Sequence, residues 1–258
     1  MTTVELAHRF DGPEAAPVLV LANSVGSSPA MWDPVVGALA ERFRVLRYDH
    51  RGHGGSTVLP GPYSIDDLGS DLLALLDELE LARVAFCGLS LGGMVGMWVA
   101  SAAPERVERL ALCCTSARLG PAEMWTDRAA AVRAGGMEAI AEAVVDRWLT
   151  PAFSAAHPDL RARLEAMFCS HPPEGYAGCC EAIAALDLFG RLGGITAPSL
   201  VLSAENDPAT PPEHGDAIAA AIPGARHVVL SDAAHLAPVE QPVAVARALL
   251  EHLDPGGT

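Results

Sequence analysis

Short apolar runs alternate with longer amphipathic stretches along most of the chain. Val4 to Phe10, Pro17 to Ala22, Phe43 to Asp49, Arg83 to Cys87, Val107 to Cys114, Ser199 to Ser203 and His227 to Leu230 are apolar or β-branched and are predicted strands. Continuous apolar runs of this kind belong to strands covered on both faces, so a mostly parallel central sheet with helices on both faces is expected. Leu68, Leu72, Leu75, Leu76 and Leu79 recur at helical spacing. Ser64 is placed to cap that helix, with Asp67 three residues on as a weaker form of the capping box. Further helices are predicted from Met94 to Ala102, ended by Pro104, and from Pro242 to Leu253. This alternation predicts a doubly wound α/β fold.

The alternation stops between about Gly120 and Gly193. There Met124, Trp125, Met137, Trp148 and Met167 lie on helical patterns, and no strand is evident. The expected organisation is a core built from 1–119 and 194–258, with a helical cap inserted over 120–193.

Composition narrows the classes of function. The 258 residues are 50% hydrophobic and 19% charged, enough for a sizeable core. No apolar run approaches the roughly 20 residues that span a bilayer. The opening Met1-Thr2-Thr3-Val4-Glu5-Leu6 has no basic end followed by an apolar stretch, so a cytoplasmic protein is expected. A net charge of -15 repels phosphate backbones and argues against a nucleic-acid partner. All 17 basic residues are Arg, which removes lysine-dependent mechanisms and leaves Arg, His or backbone N–H groups to meet any anionic ligand. The six Cys form no C-x-x-C and no disulfide framework; Cys87, Cys113 and Cys114 read as small core residues.

One motif carries chemistry. Gly88-Leu89-Ser90-Leu91-Gly92 follows a predicted strand and opens a predicted helix. In a strand–turn–helix of this kind, small residues flank a serine whose hydroxyl stands above the carboxyl edge of the sheet. Ser90 is therefore the candidate nucleophile. A serine nucleophile needs a base, and the base needs an orienting acid. His235, in a loop after the His227 strand, is the candidate base; His50 and His53 precede the serine, and the remaining histidines lie in helices, strands or beside Pro. After the strand ending at Ser203, Glu205 and Asp207 are both available, and Asp207 has the shorter reach. The oxyanion of an acyl-transfer intermediate needs two N–H donors, for which Leu91 and, in the loop Asn23-Ser24-Val25-Gly26, Val25 are the candidates. Asn23 reads equally well as a turn residue.

These residues resemble the α/β-hydrolase superfamily over essentially the whole chain, and Asp49-His50-Arg51-Gly52-His53-Gly54-Gly55-Ser56 is similar to that family's turn after the third strand. Asn23-Ser24-Val25-Gly26, Met31-Trp32-Asp33-Pro34, Gly61-Pro62-Tyr63-Ser64-Ile65, Pro104-Glu105-Arg106, Met124-Trp125 and Arg147-Trp148-Leu149-Thr150-Pro151 together resemble 3-oxoadipate enol-lactonases of the β-ketoadipate pathway. The resemblance implies an α/β-hydrolase fold, acyl-enzyme hydrolysis of a small carboxylated lactone, and no metal or organic cofactor. Its substrate carboxylate calls for an Arg: Arg118, after the Val107 strand, and Arg128, on one helical face with Trp125, are the first candidates, with Arg133 and Arg147 behind them. Trp125 is expected either to line the pocket or to pack within the cap. A general esterase or lactonase, a cofactor-free haloperoxidase and a small-molecule sensor of the same fold would share the same three residues.

Overall fold

The computed structural model describes residues 4–254 and 256. Seven strands, β1 (His8–Asp11), β2 (Val18–Ala22), β3 (Arg44–Tyr48), β4 (Val84–Leu89), β5 (Val107–Cys113), β6 (Ser199–Ala204) and β7 (Arg226–Leu230), form one sheet in the order β1-β3-β2-β4-β5-β6-β7. Only β1 runs antiparallel to its neighbour; all other pairings are parallel. The chain winds outward from β2 to β3, then crosses to β4 and continues the other way. That reversal puts the carboxyl ends of β2 and β4 side by side, the place where open α/β sheets bind ligands.

The first predicted strand shifts toward the carboxyl side. Residues 5–7 do not join the ladder, because they bond the turn after β3 instead: Ser56 Oγ accepts from the Ala7 N–H at 2.9 Å, and Thr57 N–H donates to the Glu5 carbonyl at 2.9 Å. Pairing with β3 starts at His8, opposite Tyr48.

Helices α1 (Asp33–Ala40), α2 (Ile65–Glu78) and α3 (Leu91–Ala102) follow β2, β3 and β4. The Ser64 cap of α2 is a complete capping box: Asp67 N–H donates to Ser64 Oγ at 3.1 Å and Ser64 N–H to the Asp67 carboxylate at 2.9 Å. Helix α3 is buried from Leu91 to Ala100 and starts three residues before the predicted Met94, directly after Ser90. Its glycines let it lie against the sheet. A Cβ on Gly88 would strike the Gly92 carbonyl group, and one on Gly92 would strike the backbone of Ala22 in β2.

Between β5 and β6 the described elements are helical: α4 (Ala122–Gly135), α5 (Ala141–Val145), α6 (Pro151–Ala156), α7 (Pro158–Cys169), α8 (Pro173–Ala184) and α9 (Phe189–Leu192), with a short 3-10 turn at Met137–Ala139. Helices α4 and α8 pack together and bury Trp125, Val132, Cys179 and Cys180. Helices α10 (Pro212–Ala221), α11 (Ala237–Glu240) and α12 (Pro242–Leu253) complete the fold. Among the described residues, no helix is long and apolar enough to cross a membrane.

Candidate active site

Four loops at the carboxyl edge of the sheet build the site, and each follows a different strand. After β4 the chain turns so sharply at Ser90 that its backbone sits at φ 57 and ψ -115. A non-glycine residue holds such a conformation only where its surroundings over-determine it. Here Ser90 N–H donates to the Cys113 carbonyl at 2.9 Å, and the Ser90 carbonyl accepts from Thr115 Oγ1 at 2.7 Å. Helix α3 begins at the next residue, so its positive end lies beside the serine.

After β7, the loop carrying His235 is tied down on both sides. Ala234 N–H donates to Glu240 Oε2 at 2.6 Å, and Leu236 N–H donates to the Trp148 carbonyl at 2.9 Å. The other Glu240 oxygen accepts from the Thr150 N–H and hydroxyl at 2.9 and 2.7 Å, so one buried carboxylate joins the His235 loop to the start of α6.

His235 Nδ1 is 2.8 Å from Asp207 Oδ2, and the Asp207 side chain is fully buried. Burial alone would raise the Asp207 pKa. The His235 contact, the Thr210 hydroxyl at 2.7 Å and the Thr210 N–H outweigh it and bring the carboxyl down to about 2. The carboxylate is thus ionised and aimed at Nδ1, which leaves Nε2 facing the cavity. Glu205, the other acid of this loop, is exposed, while Asp216 bonds His227 and Asp232 occupies a left-handed position. His50, His214 and His252 likewise bond Asn23, Ser116 and Leu110.

Ser90 and His235 line the same cavity. No hydrogen bond closes between their side chains in this structure. Nε2 instead has Ser24 Oγ as its neighbour, at 3.5 Å. Catalytic hydrogen bonds of this kind commonly tighten only when substrate is bound. Val25 lines the cavity from the loop after β2, and Leu91 follows Ser90. The N–H groups around them have partners: Gly26 N–H donates to His53, and Gly92 N–H to the Asn23 carbonyl. Neither the Val25 nor the Leu91 N–H has an acceptor among the described residues.

The helical segment between β5 and β6 contributes Met124, Trp125, Arg128, Val144, Arg147 and Trp148 to the cavity. Trp125 lines the pocket, and its buried indole N–H has no partner among the described residues. The Arg128 guanidinium lies over the Trp125 ring, 4.6 Å from its centroid. Arg147 donates to the Pro208 carbonyl at 3.0 Å; its own burial and then the charge of Arg128 hold its pKa below the ordinary guanidinium range. Neither arginine has a carboxylate at ion-pairing distance among the described residues.

Arg118 is not brought into the cavity. After β5 the chain turns on Ser116, and the Arg118 side chain is 65% exposed, 3.3 Å from Asp187 and over the Phe189 ring. Arg133 is likewise committed to Glu174 and Glu181. Arg147, a weaker expectation from sequence, is the residue that joins Arg128 instead. Ser24 and Glu240 were given no role by sequence. Their place depends on contacts with residues far along the chain, which residue type and spacing do not encode.

A seven-stranded, mostly parallel sheet with a serine at the strand–helix turn and an Asp–His pair from the last two strands defines an α/β hydrolase. The family model described as the alpha/beta hydrolase family matches residues 19–248; the chain belongs to that family and is a hydrolase. Among its relatives, 3-oxoadipate enol-lactonase 2 of Acinetobacter baylyi is 37% identical over 246 residues, which cover 95% of this chain and 92% of that protein. The crystal structure of the enol-lactonase from Burkholderia xenovorans LB400 superposes with a TM-score of 0.95 at 45% identity, covering 97% of this chain and 96% of that one. A hydrolase from Pseudomonas aeruginosa PA01 superposes with a TM-score of 0.94 at 46% identity, covering 97% and 95%.

Proposed function

We propose that this chain hydrolyses a small carboxylated enol-lactone, 3-oxoadipate enol-lactone, to 3-oxoadipate through an acyl-enzyme on Ser90. One observation carries the reading: the Ser90 turn, the His235–Asp207 pair and two arginines without carboxylate partners face one cavity. His235 takes the Ser90 proton as Oγ attacks the ring carbonyl. The Val25 and Leu91 N–H groups receive the oxyanion; losing one such donor costs about 2.7–4 kcal/mol of transition-state stabilisation. The C–O bond to the ring oxygen breaks, and His235 returns the proton to the departing enol oxygen. Asp207 holds the imidazole tautomer throughout. Water, activated by His235, then releases the acid from Ser90, and the enol becomes a ketone.

Arg128, with Arg147 beside it, meets the free carboxylate of the lactone, and the Trp125 indole N–H adds a donor. The core of 1–119 and 194–258 with a cap over 120–193 assigns chemistry to the core and substrate selection to the cap. The pathway and the cytoplasmic location implied by that substrate belong to the same proposal.

A substrate panel tests it. Hydrolysis of the enol-lactone is expected to exceed that of p-nitrophenyl esters by orders of magnitude in kcat/KM, and Ser90→Ala should abolish both. Equal or faster hydrolysis of the neutral esters identifies a general esterase instead. Peroxide- and halide-dependent bromination as the main activity, or tight lactone binding without turnover, would overturn the proposal.

A further inference from the structure

The turn after β3 packs against the loop that follows β2. Two of its histidines grip the loop that carries Val25. His50 Nε2 donates to the Asn23 carbonyl at 3.1 Å, two residues before Val25. His53 Nε2 accepts from the Gly26 N–H at 2.8 Å, one residue after it. Gly26 is held at φ 72, and a Cβ there would meet the rings of Phe168 and Tyr176 at 2.7 and 2.8 Å. The peptide following Val25 is therefore confined by steric walls on one side and by an imidazole on the other.

We propose that His53 is a positioning residue for the reaction: its Nε2 lone pair holds the Gly26 N–H and thereby aims the Val25 N–H at the oxyanion. The inference rests on the hydrolytic reading above and assigns His53 no contact with substrate. The Nε2 bond dictates the tautomer. Nε2 must be bare, so the proton sits on Nδ1, 3.4 Å from the Arg51 carbonyl. Protonation would place an N–H against the Gly26 N–H and break the grip.

The surroundings oppose that protonation. His53 is fully buried. The titratable groups against it are His50 on its own turn, His171 with its ring centroid at 4.8 Å, and Cys179 of α8 with Sγ 3.9 Å from Nδ1. The Arg51 charge is directed away, onto Asp71 and Asp67. Burial first, then His171 and His50, hold the His53 pKa well below the ordinary imidazole value.

Two substitutions and one measurement on the unaltered protein test the proposal. His53→Leu removes the acceptor, whereas His53→Gln keeps an oxygen at about the reach of Nε2. For His53→Leu, kcat should fall roughly tenfold or more with KM within about twofold, and His53→Gln should recover kcat to within about threefold of wild type. An unchanged kcat in His53→Leu contradicts the proposal, and so does an equal loss in folded His53→Gln. In the wild-type protein, imidazole nitrogen NMR should show His53 as the Nδ1–H tautomer, still neutral below the pH at which an ordinary imidazole takes up its proton. An Nε2–H tautomer, or titration near the ordinary value, overturns the proposal even if neither variant folds. Should wild type hydrolyse no lactone or ester, the hydrolytic reading itself has failed. Should it hydrolyse them while His53→Leu does so equally well, only the role of His53 is lost.

Discussion

Asp207 is a carboxylate whose neighbours supply nearly every donor it can accept. Ala209 N–H, Thr210 N–H, the Thr210 hydroxyl and His235 all lie within 3.1 Å. With a pKa of about 2, it stays ionised as pH falls through the range where free carboxylates begin to protonate. Asp207→Asn should therefore preserve the shape of the site while removing the preference for the Nδ1–H tautomer. Its kcat is expected to fall on the order of 10⁴-fold with little change in KM. Steady-state kinetics at neutral pH measure this, and a loss smaller than about tenfold would remove Asp207 from the mechanism. In the proposed reaction the two cavity arginines act on substrate rather than on chemistry. Arg128→Ala or Arg147→Ala should raise KM for the carboxylated lactone by about tenfold or more while leaving neutral esters within about twofold. Arg118→Ala, paired with Asp187 on the surface, should change neither.

The β4–turn–α3 unit and the loops beside it decide how these residues meet. Gly92 is compressed between the Ser90 turn and the Ala22 backbone, so Gly92→Ala cannot be accommodated by a side-chain rotation alone. Thermal denaturation should show a loss of about 1–3 kcal/mol, a drop in Tm of several degrees, and unchanged Tm would contradict the packing described here. Much of this level was legible in the sequence. The G-x-S-x-G run, the apolar strands and the Ser64 cap are local patterns, and local patterns set where elements begin and which edge their loops occupy. The start of α3 was less legible, because Leu91 to Gly93 read as a turn until Ser90 is known to absorb the whole reversal in one residue. The path of Arg118 was not legible. It depends on Asp187 and Phe189, about seventy residues onward, and no spacing near Arg118 reports them. The first strand was misplaced for a related reason: residues 5–7 find partners in the turn at 56–57 rather than in the sheet.

Over the whole molecule, the joint between the turn after β3 and the helical segment is built from buried neutral histidines. Burial lowers His50 and His171 from 6.5 to about 4. The unfolded chain binds these protons below about 6.5, but the folded protein only below about 4. Their stabilisation is complete above the first value, erodes as pH falls, and is gone below the second; each contributes roughly 3 kcal/mol at most. Asp49 and Asp71, whose carboxyls burial pushes up, act in the opposite sense. Tm should therefore fall steadily from about pH 7 to about pH 4.5, and His171→Leu should flatten that slope; a flat wild-type profile would contradict it. The acidic surface, with a net charge of -15, loses repulsion over the same range and does not account for a fall. The proposed hydrolysis depends on Ser90 acting as a nucleophile served by His235. Peptide mass spectrometry after reaction with a fluorophosphonate tests this directly. One phosphonyl group per chain on Ser90, absent in His235→Ala, is the predicted result. An unlabelled Ser90, or labelling that persists at full rate without His235, would contradict it.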